Sequence, residues 1–143
     1  MTDHLDLTAL SGAIVSLEEG IAIVDNPVWF CAQTPAVQNV LIAGVIQSFE
    51  FVYELSVKMI RRQLETEAAS PTDVDEASFR DVMRTAAEKG LIRDVEAWFG
   101  YRKMRNFTAH TYDHDKARQV YQGISAFLGD ARALLAKLEA RNA

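Results

Sequence analysis

Leu7, Leu10, Ile14, Leu17, Ile21 and Val24 recur at steps of three and four along the start of the chain, one stripe of an amphipathic helix. Asn26-Pro27 should end it, because proline disfavours the helical conformation in the residue before it and cannot donate to a continuing helix. Residues 27–35 then read as a connection. Thr34-Pro35 supplies a capping hydroxyl and a proline for the first helical position, and Val37, Leu41, Val45, Phe49, Val52, Leu55 and Met59 sustain a long second helix to about Gln63. Ser70-Pro71-Thr72-Asp73 is the most loop-like stretch. Phe79, Val82, Met83, Ala86 and Ala87 form a short third helix that stops at Gly90.

Asp94 can cap a fourth helix through Val95, Trp98, Phe99 and Met104, irregular at Gly100 and continuing across residues 105–112. Beyond Asp113 to Asp115, the residues Val120, Ile124, Phe127, Ala131, Leu134 and Leu138 give one last helix. No strand pattern competes. The expectation is an all-α fold, an antiparallel (up-and-down) four- to five-helix bundle, with residues 1–143 as a single domain.

Composition leaves that picture in place: 49% hydrophobic and 24% charged residues are ordinary for a globular chain. The net charge of -5 argues against a protein that coats nucleic acid by charge alone, so any RNA contact should be local. The balance does reverse between Arg102 and Arg118, where Arg102, Lys103, Arg105, Lys116 and Arg118 face only Asp113 and Asp115. A solvated helix face is the bland explanation of such a run. Cys31 alone forms no internal disulfide, and no basic stretch followed by an apolar run opens the chain, so a cytoplasmic location is expected. The uninterrupted apolar runs fall short of the roughly 18 to 20 residues of a membrane span, so no membrane partner is expected.

On a helical wheel of about 100° per residue, Arg105, Asn106, Ala109, His110, Tyr112 and Asp113 share one broad face, with Met104, Phe107 and Thr111 as core anchors opposite. Imidazole moves protons near neutral pH and guanidinium braces phosphate oxygens, so His110 and Arg105 suit phosphodiester cleavage in RNA, whose 2′-hydroxyl is a built-in nucleophile. A buried, hydrogen-bonded histidine is the structural alternative. His110, His114 and Asp113 have a spacing that metals use, but no cysteine or glutamate completes the pattern, and no metal is expected. Glu50 and Glu54, one turn apart, could anchor Arg105 or act as a base, or be an ordinary inter-helix pair. Trp29, Trp98, Phe49, Phe51 and Phe99 follow the helical stripes and read as core or dimer contacts.

Arg105-Asn106-x-x-x-His110-x-Tyr112 resembles the signature of the HEPN proteins, specifically the HepT-type toxins. Ser48-Phe49-Glu50-Phe51-Val52-Tyr53-Glu54-Leu55-Ser56-Val57-Lys58, Phe79-Arg80-Asp81-Val82-Met83-Arg84 and Gly90-Leu91-Ile92 with Trp98 resemble the nucleotidyltransferase substrate-binding subfamily. The resemblance covers residues 40–138. It implies a dimeric bundle with the Arg and His of both protomers at a shared cleft, acting as a metal-independent ribonuclease without cofactor, tRNA being one candidate substrate. It also implies a partner, a minimal nucleotidyltransferase of the MntA type, that serves as antitoxin by transferring AMP onto the motif tyrosine. Carried onto this chain, His110 is the catalytic residue, Arg105 its phosphate-binding or histidine-orienting partner, and Asn106 a supporting polar residue. Asp113, Glu50 and Glu54 belong to the same supporting set, and Tyr112 is the modification acceptor. The alternative function is a non-catalytic module that docks on the nucleotidyltransferase and presents its substrate.

Overall fold

The computed structural model describes residues 4–143, and all regular structure among them is helical. Helix α1 spans Thr8–Val24, α2 Pro27–Cys31, α3 Pro35–Glu67, α4 Pro71–Glu76, α5 Phe79–Glu88, α6 Val95–Phe107, α7 His114–Gln122 and α8 Ile124–Arg141. Four long helices make the bundle. Gly20 backs onto Val45 while Ala13 borders Phe51 and Leu55, so α1 and α3 run antiparallel. Asp130 meets Arg93 and Tyr101 while Gly123 meets Met104, so α6 and α8 are antiparallel too. Gln63 and Glu67 reach Asn142 and Arg141, and Phe49 meets Phe127, so α3 and α8 are parallel and the order is up, down, up, down.

The expected stripes are the core. Leu10, Ile14, Leu17, Ile21 and Val24 of α1 are buried against Ile42, Val45, Ile46, Phe49, Val52 and Ile60 of α3. Trp98, Tyr101, Phe127 and Phe49 close the centre in edge-to-face contacts, with ring centroids 5.0 Å apart for Tyr101–Phe127 and 4.8 Å for Phe49–Phe127. Each such pair contributes roughly 0.5 to 1.5 kcal/mol beyond area burial.

Local chemistry sets the ends. Asn26 accepts from the Trp29 amide and Thr34 from the Val37 amide, each with proline next in the helix. Gly90, at φ +74, takes the left-handed turn that ends α5, letting the Leu91 amide reach the Ala86 carbonyl at 2.8 Å.

Several boundaries differ from the sequence expectation. Residues 27–35 contain α2, the Ser70-Pro71 stretch opens α4, and Gly100 leaves α6 unbroken. The last helix divides at Gly123, where α7 gives way to α8 and the Met104 side chain comes within 2.9 Å of where a Cβ would stand. The membrane expectation also changes: α3 contains an 18-residue window of mean hydropathy 1.5, long and apolar enough by length and composition to cross a bilayer. Its inward face belongs to the bundle core, and exposed Val37, Val40 and Phe51 on the outward face add to the hydropathy.

Candidate functional site

Asp94 starts α6 by accepting from the Glu96 and Ala97 amides, which places Arg105 in the last helical turn. The helix does not continue through the motif. The Thr108 hydroxyl donates to the Arg105 carbonyl at 2.6 Å, and the Thr111 hydroxyl donates to the Thr108 carbonyl at 2.8 Å. Such side-chain bonds offer the backbone an alternative to the helical ladder. Residues Thr108–His110 form a 3-10 turn, the chain bends, and Asp113 caps α7 by accepting from the Asp115 and Lys116 amides. The single-face wheel is therefore corrected: past Phe107 the residues leave the helix that defined it.

Arg105 turns back to α3. Its Nε and one terminal nitrogen donate to the same Glu54 oxygen at 3.1 and 2.7 Å, its other terminal nitrogen donates to Thr108 at 3.2 Å, and Glu50 lies at 3.7 Å. The hydrogen bond to Glu54, aided by the charges of Glu50 and Glu54, raises the guanidinium above its ordinary pKa and keeps it cationic. Glu50 and Glu54 are thus the acidic anchor for Arg105. A guanidinium has five N–H donors. Three are taken here, and among the described residues the other two make no hydrogen bond.

His110 lies exposed on the 3-10 turn, between the edges of Phe107 and Tyr112, at centroid distances of 5.8 and 6.4 Å. The buried-histidine alternative is overturned by this exposure. Tyr112 is 79% exposed, open to a partner enzyme. Asn106 is exposed as well, and Asp113 is occupied as a helix cap. Among the described residues no hydrogen bond joins Arg105 to His110, so the motif forms two adjoining halves: an anchored arginine and an open histidine–tyrosine pair.

Met104, Phe107 and Thr111, expected as core anchors, are only half-buried, and Thr108 is the buried residue of the segment. Phe107 instead walls a groove of about 260 Å³ with Lys103, Met104, Gln119 and Val120. Sequence reading missed Thr108, the link between the arginine and the end of α6. Two threonines three apart ahead of an Asp cap were the available signal. Trp98, Phe49 and Phe99 are core, whereas Trp29 and Phe51 stand 43% and 55% exposed. Exposed Cys31 lies in α2. Among the described residues no three His, Cys, Asp or Glu side chains converge as metal ligands. His114 faces the Asn39 amide at 3.2 Å.

An up-and-down helical bundle with Arg105-Asn106-x-x-x-His110-x-Tyr112 at the end of its third long helix defines a class of Arg-and-His bundle proteins, the HepT type among them. The chain belongs to the family described as nucleotidyltransferase substrate binding protein like, whose model matches residues 5–140. A Haemophilus influenzae relative named probable ribonuclease HepT is 47% identical over 142 residues, covering 99% of this chain and 97% of its own. A solved Haemophilus influenzae structure, described as the fold of a substrate binding domain of a nucleotidyltransferase, superposes with a TM-score of 0.92. It is 46% identical and covers 94% of this chain and 99% of that one. A Thermus thermophilus structure follows at TM-score 0.64 and 28% identity, covering 92% of this chain and 97% of that one.

Proposed function

We propose that the chain is the ribonuclease of a toxin–antitoxin pair, cutting RNA with His110 and Arg105 and without a metal ion. The observation that carries this reading is the exposed imidazole of His110, beside an arginine that keeps N–H donors free while Glu54 fixes its direction. In the reaction the 2′-oxygen of RNA bonds to the adjacent phosphorus and the bond from phosphorus to the 5′-oxygen breaks. The imidazole handles the proton leaving the 2′-hydroxyl and the proton gained by the 5′-oxygen, while Arg105 bears on the phosphate oxygens.

Each chain brings one motif histidine, His110, so a two-fold pair supplies two imidazoles, one to serve as base and the other as acid. A homodimer is supported by the outward stripe of α3, where Val37, Val40, Gly44, Gln47 and Phe51 are exposed in register. Val40 borders the groove of Thr111 and His114, and Phe51 borders Glu54, so that stripe flanks the site at both ends. A minimal nucleotidyltransferase is the partner, and Tyr112 is its target. The tyrosyl oxygen attacks the α-phosphorus of ATP, AMP is transferred, pyrophosphate leaves and the hydroxyl proton is released.

The alternative, a non-catalytic module that presents a nucleotidyltransferase's substrate, draws support from the partial neutralisation of Arg105 by Glu54 and from the family description. Purified protein incubated with tRNA in EDTA separates the two. Cleavage that persists in EDTA and falls by about 10²-fold or more in His110→Ala is expected for the ribonuclease. Inactivity of well-folded protein would establish the module.

A further inference from the structure

Five of the chain's ten arginines answer a carboxylate among the described residues, Arg105 being one. Among the described residues Arg93 meets Asp130 at 2.8 Å, Arg132 meets Glu18 at 3.0 Å, Arg141 meets Glu67 at 3.0 Å and Arg84 meets Asp81 at 3.7 Å. Like Arg61, Arg62 and Arg118, the exposed pair Arg80 and Arg102 forms no such bond there. Each lies instead over an aromatic ring. The Arg80 guanidinium is 4.4 Å from the centroid of Phe99, and that of Arg102 is 4.5 Å from the centroid of Phe79. The arrangement is reciprocal: α5 sends Arg80 over a ring of α6, and α6 sends Arg102 over a ring of α5. The two rings sit 6.2 Å apart, tilted by 53°.

We propose that Arg80 and Arg102, stacked on Phe99 and Phe79, form a platform for the phosphates of a single-stranded RNA leading into the Arg105–His110 site. This rests on the ribonuclease reading above. A guanidinium held face-down on an aromatic ring keeps its N–H edges outward and has already given up part of its side-chain freedom. Those edges match the fork geometry of phosphate oxygens. Arg102 precedes Arg105 by three residues on α6, which puts their Cβ atoms roughly 5 to 6 Å apart, within reach of neighbouring phosphates on one strand. The positive charges of Arg102 and Arg105 also act on one buried group, opposing the burial that pushes the Tyr53 hydroxyl up to about 12. In a chain of net charge -5, this concentrates the positive field beside the motif rather than over the whole surface. An acidic protein partner would meet the same charges, but the contiguity of Arg102 with Arg105 favours the substrate.

The test uses the full chain and a fluorescein-labelled oligouridylate of about a dozen nucleotides, long enough to span one groove. Anisotropy across a salt series is measured in a His110→Ala background, with parallel kcat and KM in the active protein. Arg80→Gln and Arg102→Gln should each weaken binding several-fold. Together they should flatten the slope of log K against log salt by about 1 to 2, raising KM with kcat near the parent value. Arg80→Lys with Arg102→Lys should keep the salt slope while losing part of the affinity, and circular dichroism should show the helices intact in all variants. Parent affinity and salt slope in the double Gln variant would overturn the platform and leave the ribonuclease reading standing. Loss of nucleotidyltransferase binding with RNA affinity unchanged would overturn it in favour of a protein-docking patch. A parent that neither binds nor cuts RNA would remove both.

Discussion

Arg105 shows how a charged side chain can be both anchored and available. Its bonds to Glu54 and Thr108 fix the guanidinium plane, and because the pair is largely solvent-facing it contributes only about 0 to 1 kcal/mol to stability. Its role is therefore directional. Tyr112 is the opposite case: among the described residues its only contact of note is the edge of His110, and it is open to solvent. The proposed AMP adduct would put a bulky group and a negative phosphate beside His110, where it would exclude RNA. Co-expression with a cognate minimal nucleotidyltransferase should raise the intact mass by about 329 Da or a multiple, a shift lost in Tyr112→Phe. An adduct elsewhere, or full neutralisation of Tyr112→Phe, would mean that the partner inhibits by docking alone. Arg105, His110 and Tyr112 stand out in the sequence through the family resemblance rather than by spacing. Glu50 and Glu54 read there equally as an anchor for Arg105, a base or an ordinary inter-helix pair, of which the contacts show the anchor. The bonds of Thr108 were not legible in the sequence, because a threonine carries the same letter whether it continues a helix or ends one.

The long helices were legible because each writes its buried face as a periodic stripe and announces its start with a cap. The short ones were not. Five residues in α2 and six in α4 are too few to establish a period, and their prolines read equally well as loop. The break at Gly123 was hidden for another reason: Val120, Ile124 and Phe127 continue at helical spacing across it, since α7 and α8 pack on the same core. Two substitutions separate stripe from incidental burial. Leu17 is fully buried in α1, and Leu17→Ala should lower unfolding free energy by about 2 to 5 kcal/mol in urea denaturation. The Ser56 hydroxyl is buried in α3 with no partner among the described residues, so Ser56→Ala removes a polar atom that only costs desolvation. It should leave the midpoint unchanged or raise it; a drop comparable to that of Leu17→Ala would show that the hydroxyl is bonded in solution.

At the scale of the molecule, the bundle buries one face of α3 and leaves the other as an apolar stripe beside the motif. The proposed homodimer would cover that stripe and bring two copies of His110 to one cleft. Light scattering at micromolar concentration should give twice the chain mass of 16.0 kDa, falling to one chain in Val40→Asp with Phe51→Asp. A single-chain mass throughout would remove the composite site. Chemistry remains the sharpest test of the whole account. If the 2′-oxygen is the nucleophile and His110 the proton carrier, every cut must leave a 2′,3′-cyclic phosphate on one fragment and a 5′-hydroxyl on the other. The measurement is mass spectrometry of RNA fragments made by the purified protein in EDTA, with His110→Ala alongside. The account predicts cyclic-phosphate and 5′-hydroxyl ends from the parent and intact RNA from the variant; 5′-phosphate ends, or the same fragments from both proteins, would contradict it.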